Sequence, residues 1–331
     1  MVARTRDDRS LKLARTNDDN EREKMAKVAI IGAGNVGGTL AQRIAEADLA
    51  DVVLLDVAEG VAQGKAFDLA DARQLIGHDR LVIGTKDYTD ISDADIVVVT
   101  AGLARQPGMT REDLLKKNTA IVSEISVEVS RHAAQAILIM VTNPLDVLTN
   151  IALLKTGFEP RQVVGMGGVL DASRCANLIA EALGVSAATV QAMVIGAHGE
   201  NMLPLLRYST VSGIPATELL TPEQQQRVIS ETTQRGARIV ASLGKGSAYY
   251  APSAAALTMI KAILHDEQKI LPCCAMVDDV YSLEDVCIGV PVQLGMQGVE
   301  EIIELELTDE EQSKLQEAAQ GIKSALVMIH G

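Results

Sequence analysis

The stretch Lys27 to Asp56, KVAIIGAGNVGGTLAQRIAEADLADVVLLD, constrains this chain more than any other. Val28-Ala29-Ile30-Ile31 is too short for a helix and too continuous for a half-exposed strand, so it reads as a buried parallel strand. Gly32, Gly34 and Gly37 then form G-x-G-x-x-G, and Val36, Leu40, Ile44 and Ala47 recur at helical spacing. Strand, tight turn and helix thus come in the order a dinucleotide site requires. Gly32 permits the turn, Gly34 lets backbone approach a pyrophosphate, and Gly37 lets helix and strand pack closely. Ala33, Asn35 and Val36 complete the turn, whose free N–H groups at the helix start would face the anion. A second buried run, Val52 to Leu55, ends in Asp56, placed to bind the adenosine ribose hydroxyls.

Asp56 also selects between cofactors. Its carboxylate would repel a ribose 2′-phosphate, and Val57 and Ala58 after it supply no cation to receive one. NAD is expected rather than NADP. The chain has 331 residues, enough for two domains, with 47% hydrophobic and 22% charged residues, an ordinary globular balance. Aromatics are only 2%, so Ala, Val, Ile, Leu and Met must build the core. A net charge of −14 argues against nucleic-acid or anionic-membrane partners, which need a basic face. It leaves an anionic substrate open, because a few local arginines suffice for one.

Residues 1–26 are dense in both charges and poor in apolar residues, and are expected to be a disordered extension. They hold no apolar run for a secretory signal and too many acids for a transit peptide. Met25, just before the first strand, is an alternative start, and no later run approaches the roughly 18 apolar residues of a membrane span. A cytoplasmic protein is expected. Cys175, Cys273, Cys274 and Cys287 show neither C-x-x-C nor metal-ligand spacing and read as buried thiols. The adjacent pair 273–274 leaves a strained bridge as the lesser alternative.

Strand and helix alternate again beyond Asp56. A crossover helix is expected over Gly60–Gln74, a short strand at Leu81–Ile83, and central strands at Ala94–Thr100 and Ala136–Val141, the latter stopped by Thr142-Asn143-Pro144. This grammar predicts an α/β fold with a doubly wound, parallel Rossmann sheet over 27–166. Its ligand crevice would lie at the strand ends that hold Gly32, Asp56, Gly102 and Asn143. Past Met166 the pattern shifts to a helix at Asp171–Leu183, short strands, long helices at Pro222–Leu243 and Pro252–Leu264, and strand-like segments at Lys269–Val277 and Ser282–Gln293. A helix capped by Thr308 and Glu311 ends the chain. Residues 167–331 thus read as a second, α+β domain with antiparallel strands.

Three places carry more charge than structure alone explains. In Gly102–Arg111, GLARQPGMTR, a glycine- and proline-marked loop carries Arg105 and Arg111 at the crevice mouth; they suit a closing lid that grips carboxylates, or are solvated surface arginines. In LDASR, Asp171 and Arg174 share one helix face, as a site or as a plain ion pair. In VIGAHGE, His198 follows an apolar strand between glycines, with its ring free as a proton shuttle or merely structural. His78, His132, His265 and His330 read as surface residues.

GAGNVGG, LARQPGMTR, VTNP, LDASR and GAHGE in this order resemble the lactate/malate dehydrogenase family, and within it the malate dehydrogenases of lactate-dehydrogenase-like type. The resemblance runs from about Lys27 to the C-terminal helix. It implies that His198 is the proton-accepting base, Asp171 its orienter, and Arg174 the clamp on the substrate carboxylate. Arg111 would polarise the reacting oxygen and Asn143 would bind it. Val141, Thr142 and Asn143 would line the nicotinamide side, Asn118 would contact the cofactor, and Ser247 would lie by the substrate. Arg105 would read the second carboxylate of malate or oxaloacetate, where lactate dehydrogenases typically carry glutamine. Such proteins are homodimers or homotetramers, and the helix at Pro222–Leu243 could supply an interface. An enzyme of the tricarboxylic acid cycle is the implied function. Two alternatives remain at this point: an NAD-dependent dehydrogenase for lactate or another 2-hydroxy acid, and a non-catalytic NAD-binding protein.

Overall fold

The computed structural model describes residues 25–103, 110–244 and 246–330, without the side chains of Arg111 and His330. The expected disorder of residues 1–26 therefore falls almost wholly outside the described residues, as does most of the arginine loop. The apolar runs form a parallel sheet: β1 (Lys27–Ile31), β2 (Asp51–Leu55), β3 (Val82–Thr85), β4 (Ile96–Val99), β5 (Ile137–Met140) and β6 (Val163–Gly165). Between them run α1 (Asn35–Glu46), α2 (Glu59–Ile76), α3 (Arg111–His132) and α4 (Leu145–Thr156). The strand order is β3-β2-β1-β4-β5-β6, so the winding reverses between β1 and β4 and opens a crevice at their carboxyl ends. Alternate residues serve opposite faces. Val28, Ile30, Val52, Leu54 and Ile96 pack with Leu40 and Ile44 of α1, while Ala29, Ile31, Val53, Val97 and Leu138 pack with Val122 and Ile125 of α3 and Leu148 of α4. Both faces are covered, which is why these strands read as continuous apolar runs.

The sequence reading places no element between Arg111 and Ala136, yet α3 fills most of that span. Leu115, Asn118, Val122, Ile125 and Val129 form its buried face at helical spacing, and Thr110 and Asp113 close a capping box at its start. Polar Asn118 and the β-branched residues between these positions obscure the stripe in one dimension.

The second half comprises α5 (Gly167–Leu183), β7 (Val190–Gln191), β8 (Val194–Gly196), β9 (Met202–Pro204), β10 (Thr210–Val211), β11 (Ile214–Pro215), α6 (Ala216–Leu219), α7 (Pro222–Leu243), α8 (Tyr250–Leu264), β12 (Lys269–Val277), β13 (Val286–Gly295), β14 (Gly298–Ile302) and α9 (Asp309–His330). Its antiparallel strands do not stand apart. Through the single pair Cys274–Gly165, β12 joins β6, and the order β12-β13-β8-β9 continues the parallel sheet without a gap. Only β11-β10-β7 form a separate small sheet. The strand expected at Ser282–Gln293 begins later, at Val286, because Tyr281, Ser282 and Asp285 have positive φ and turn the chain. Cys273 and Cys274 are buried and free. They serve opposite core clusters, as neighbours on a strand must, and that alternation separates their thiols. His78 is buried, a correction to its reading as a surface residue: its ring accepts the Arg80 N–H at 3.3 Å.

Candidate active site

The glycine turn follows from close packing. Gly32 has φ +110°, and a Cβ there would fall 2.6 Å from the Ala101 nitrogen. A Cβ on Gly37 would stand 1.9 Å from the Gly32 oxygen, so α1 can approach β1 only without one. Gly34 differs: nothing lies within 4 Å of where its Cβ would be, which leaves its backbone open to a ligand. The first turn of α1 has no side-chain cap and no acidic residue, so its N–H groups keep the positive end of the helix available to an anion. Asp56 braces the turn, its two oxygens accepting the Ala33 N–H at 2.7 Å and the Ala58 N–H at 2.9 Å. These residues fit a dinucleotide pyrophosphate.

A cavity of about 450 Å³ opens from this turn. Gly34, Asn35 and Val36 line one side, Val141, Thr142 and Asn143 a second, and Ser247 and His198 the far end. The ends of β1, β5 and β8 thus converge on one space. Gly32, Ala33, Gly37 and Asp56 stand behind its lining. So does Asn118, which is 1% exposed; its amide donates to the carbonyls of Leu103 (3.2 Å) and Asn143 (2.8 Å) and accepts the Leu103 N–H at 2.8 Å. These bonds make Asn118 a brace for Asn143 and the root of the arginine loop.

At the far end, β8 stops at Gly196, whose φ of +86° turns the chain so that His198 faces the cavity. Asp171, in α5 and 1% exposed, sits with Oδ2 at 2.6 Å from His198 Nδ1 and Oδ1 at 3.1 Å from Arg174 Nη1. One buried carboxylate therefore orders both an imidazole and a guanidinium. Arg174 Nε is buried and has no hydrogen-bond partner among the described residues, a donor held for something else. Burial works against a charged His198 ring, but the charge and hydrogen bond of Asp171, with the charge of Asp146, outweigh it and the repulsion of Arg174. The imidazole pKa is raised above its ordinary value. The ring can therefore hold a proton near neutrality and release it to, or take it from, a molecule in the cavity.

Arg105 lies outside the described residues. Arg111 opens α3 at the loop's end, and its side chain also lies outside them. Three residues escaped the sequence reading. Thr100 donates its hydroxyl to the Gly32 carbonyl at 2.9 Å and lines the cavity. Lys65 reaches from α2 to the Gly34 carbonyl at 2.7 Å, its pKa lowered by partial burial against the opposing pull of Asp56. Asp146 accepts the His198 backbone N–H at 2.8 Å. A lysine nine positions after Asp56 and an acid two after Pro144 carry no local mark of these contacts. A larger cavity, about 680 Å³, opens at the opposite end of the sheet around Asp95, Arg161 and Gln297, but no histidine, cysteine or hydroxyl lines it.

Known proteins agree with this architecture. The sequence pattern of the lactate/malate dehydrogenase NAD-binding domain matches residues 26–165, and that of the lactate/malate dehydrogenase alpha/beta C-terminal domain matches residues 168–329. The malate dehydrogenase of Methanosarcina barkeri is 49% identical over 91% of this chain and 98% of its own length. That of Chlorobium phaeovibrioides is 49% identical over 88% and 95%. Among solved structures, malate dehydrogenase from Salinibacter ruber superposes with a TM-score of 0.88 at 44% identity, covering 92% of this chain and 97% of that one. Lactate dehydrogenase of Cryptosporidium parvum, complexed with lactic acid and nicotinamide adenine dinucleotide, gives 0.90 at 37%, covering 93% and 99%. The two domain patterns, in order over residues 26–165 and 168–329, joined to a glycine turn and the His198 ring on one cavity with Asp171 and Arg174 behind it, establish that the chain belongs to the lactate/malate dehydrogenase family.

Proposed function

We propose that this protein is an NAD-dependent malate dehydrogenase, interconverting (S)-malate and oxaloacetate. The observation that carries the reading is the His198–Asp171–Arg174 cluster, set on the cavity that the glycine turn also lines. Bound NAD supplies the hydride acceptor for malate oxidation and, as NADH, the hydride donor for the reverse. The chain's own residues supply binding and proton transfer. Gly34, Asn35 and Val36 would present backbone to the pyrophosphate, Asp56 would face the adenosine ribose, and Val141, Thr142 and Asn143 would hold the nicotinamide side.

His198 takes the hydroxyl proton of malate on Nε2, because Nδ1 is committed to Asp171; in the reverse direction it returns that proton to the carbonyl oxygen. Asp171 fixes the tautomer and stabilises the imidazolium. Arg174, whose Nε is unpartnered, would clamp the carboxylate beside the reacting carbon. Asn143 and Arg111 would hold the oxygen on which negative charge develops, the latter contributing on the order of 3 kcal/mol to the transition state. Ser247 lies by the substrate end.

Arg105 supports malate over lactate. A guanidinium shut away from water in the substrate complex would need a second carboxylate, and pyruvate would leave it unpaired at a cost on the order of a thousandfold in kcat/KM. The malate dehydrogenases that resemble this chain at 49% identity support the same choice. The decisive experiment follows NADH absorbance with oxaloacetate and with pyruvate, for the wild type and Arg105→Gln. The wild type is expected to consume NADH on oxaloacetate only, and the variant to move toward pyruvate. Comparable kcat/KM on both keto acids in the wild type refutes the assignment. NADPH in the same panel should be the poorer donor because of Asp56.

The protein is proposed to work as a homodimer or homotetramer. α2 turns Val61, Phe67, Leu75 and Ile76 outward, at 48%, 68%, 81% and 52% exposure, a stripe suited to a second copy. Light scattering after size exclusion reads the number, and a monomeric result ends this part. A cytoplasmic place in the tricarboxylic acid cycle, without nucleic-acid or membrane partners, fits the net charge of −14. Among the described residues, no helix is long and apolar enough to cross a membrane.

A further inference from the structure

Asp146 is 5% exposed in the first turn of α4, and its position is chemically odd. Oδ2 accepts the backbone N–H of His198 at 2.8 Å and the carboxyl also meets the Cys274 thiol, a weak donor, while Oδ1 is buried with no hydrogen-bond partner among the described residues. A half-satisfied buried carboxyl is costly, and packing alone gives no reason to keep it where an amide or an apolar side chain would fit. The two groups nearest in charge explain it better. Asp171 already shares its carboxylate between His198 and Arg174, so with His198 protonated these three sum to one positive charge in a nearly closed site. Asp146 brings that sum to zero, and the N-terminal turn of α4 helps to keep its carboxylate ionised.

We infer that Asp146 is a positioning residue for proton transfer at His198: its carboxylate seats the backbone of that residue and sets a second buried negative charge behind the imidazole. Among the described residues, the charged and titratable groups around the ring are Asp171 and Arg174 from α5, Asp146 from α4, and Glu200 on its own turn. The thiols of Cys274 from β12 and Cys287 from β13 lie beside Asp146. Burial, with the charge of Asp171, holds the Asp146 carboxyl above its ordinary value and the His198 imidazolium pulls it part of the way back, so each group favours the charged form of the other. Protonation of His198 and ionisation of Asp146 are therefore linked, and the site holds a proton more firmly than the Asp171 contact alone would give.

The inference rests on His198 as the proton carrier, and two measurements separate its failure from failure of that reading. The first is the pH profile of kcat/KM for oxaloacetate with NADH and for malate with NAD, in wild type and Asp146→Asn, which keeps an acceptor for the His198 N–H but loses the charge. Both limbs should move to lower pH by on the order of one unit, about a tenfold loss of reduction on the alkaline side, with the KM for NADH unchanged. The second is NMR titration of the His198 ring in isotopically labelled protein without substrate, assigned with His198→Asn; it should show the same displacement whatever the activity. Asp146→Ser, smaller and also neutral, repeats both measurements. A ring titration that stays put in a folded neutral variant overturns the proposal, and so does collapse of the fold in both variants, which would place Asp146 in the scaffold alone.

Discussion

The two halves of the site are made of different material. The cofactor half, from β1 to β5, works largely through backbone: glycines, a helix start with no cap, and strand ends, braced by the Asp56 carboxylate. The substrate half, from α5 to β8, works through charge, with Asp171, Arg174, His198 and, behind them, Asp146 sharing one small buried volume. The first half should therefore be sensitive to an added carbon at Gly32 or Gly37, and the second to a change of charge.

The largest effect should come from the charge side. His198→Asn is expected to lower kcat by about three orders of magnitude while leaving NADH binding and thermal stability near those of the wild type. Fluorescence titration beside steady-state rates decides this, and a loss under tenfold would break the division. From the backbone side, Gly37→Ala should do the reverse. Its Cβ would fall 1.9 Å from the Gly32 oxygen, so α1 must move off β1. Stability should fall by about 1–3 kcal/mol and NADH affinity with it. Chemical denaturation with an unchanged midpoint would contradict this.

pH sharpens the contrast. The raised pKa of His198 means that oxaloacetate reduction, which needs the imidazolium, should hold below neutrality and decline only as pH rises through a value above the ordinary histidine one. Malate oxidation should rise through the same region. The folding contribution of the His198–Asp171 pair has the same sign: fully present below the unfolded pKa of about 6.5 and lost as pH climbs through the folded value. Asp171→Asn should carry the reduction limb to lower pH, and a limb that stayed in place would detach it from this pair. The smallest effect is expected at Lys65, which reaches back to the glycine turn. Lys65→Met should raise the KM for NAD roughly fivefold, about 1 kcal/mol, with kcat unaltered.

Much of this was legible in one dimension. The strand–glycine–helix order, Asp56, the later strand ends and the three charged motifs are local patterns, and the structure brings Gly34, Asn143 and His198 to one cavity as their positions at strand ends predict. Helix α3 was equally written in its spacing but hidden by a polar residue on its buried face. Ser282–Asp285 reads as strand by composition and turns by backbone conformation.

By itself, then, the sequence determined the alternation of strands and helices, the turn that only glycines can make, and the residue types available for proton transfer, because these depend on neighbours a few positions apart. Tertiary structure alone decided that the antiparallel strands extend the parallel sheet, that Asn118 braces Asn143, and that Lys65 and Asp146 reach the glycine turn and the His198 backbone. Those outcomes depend on which side chains meet across 31 and 52 residues of chain, and on how far burial strengthens a charge once water has been excluded.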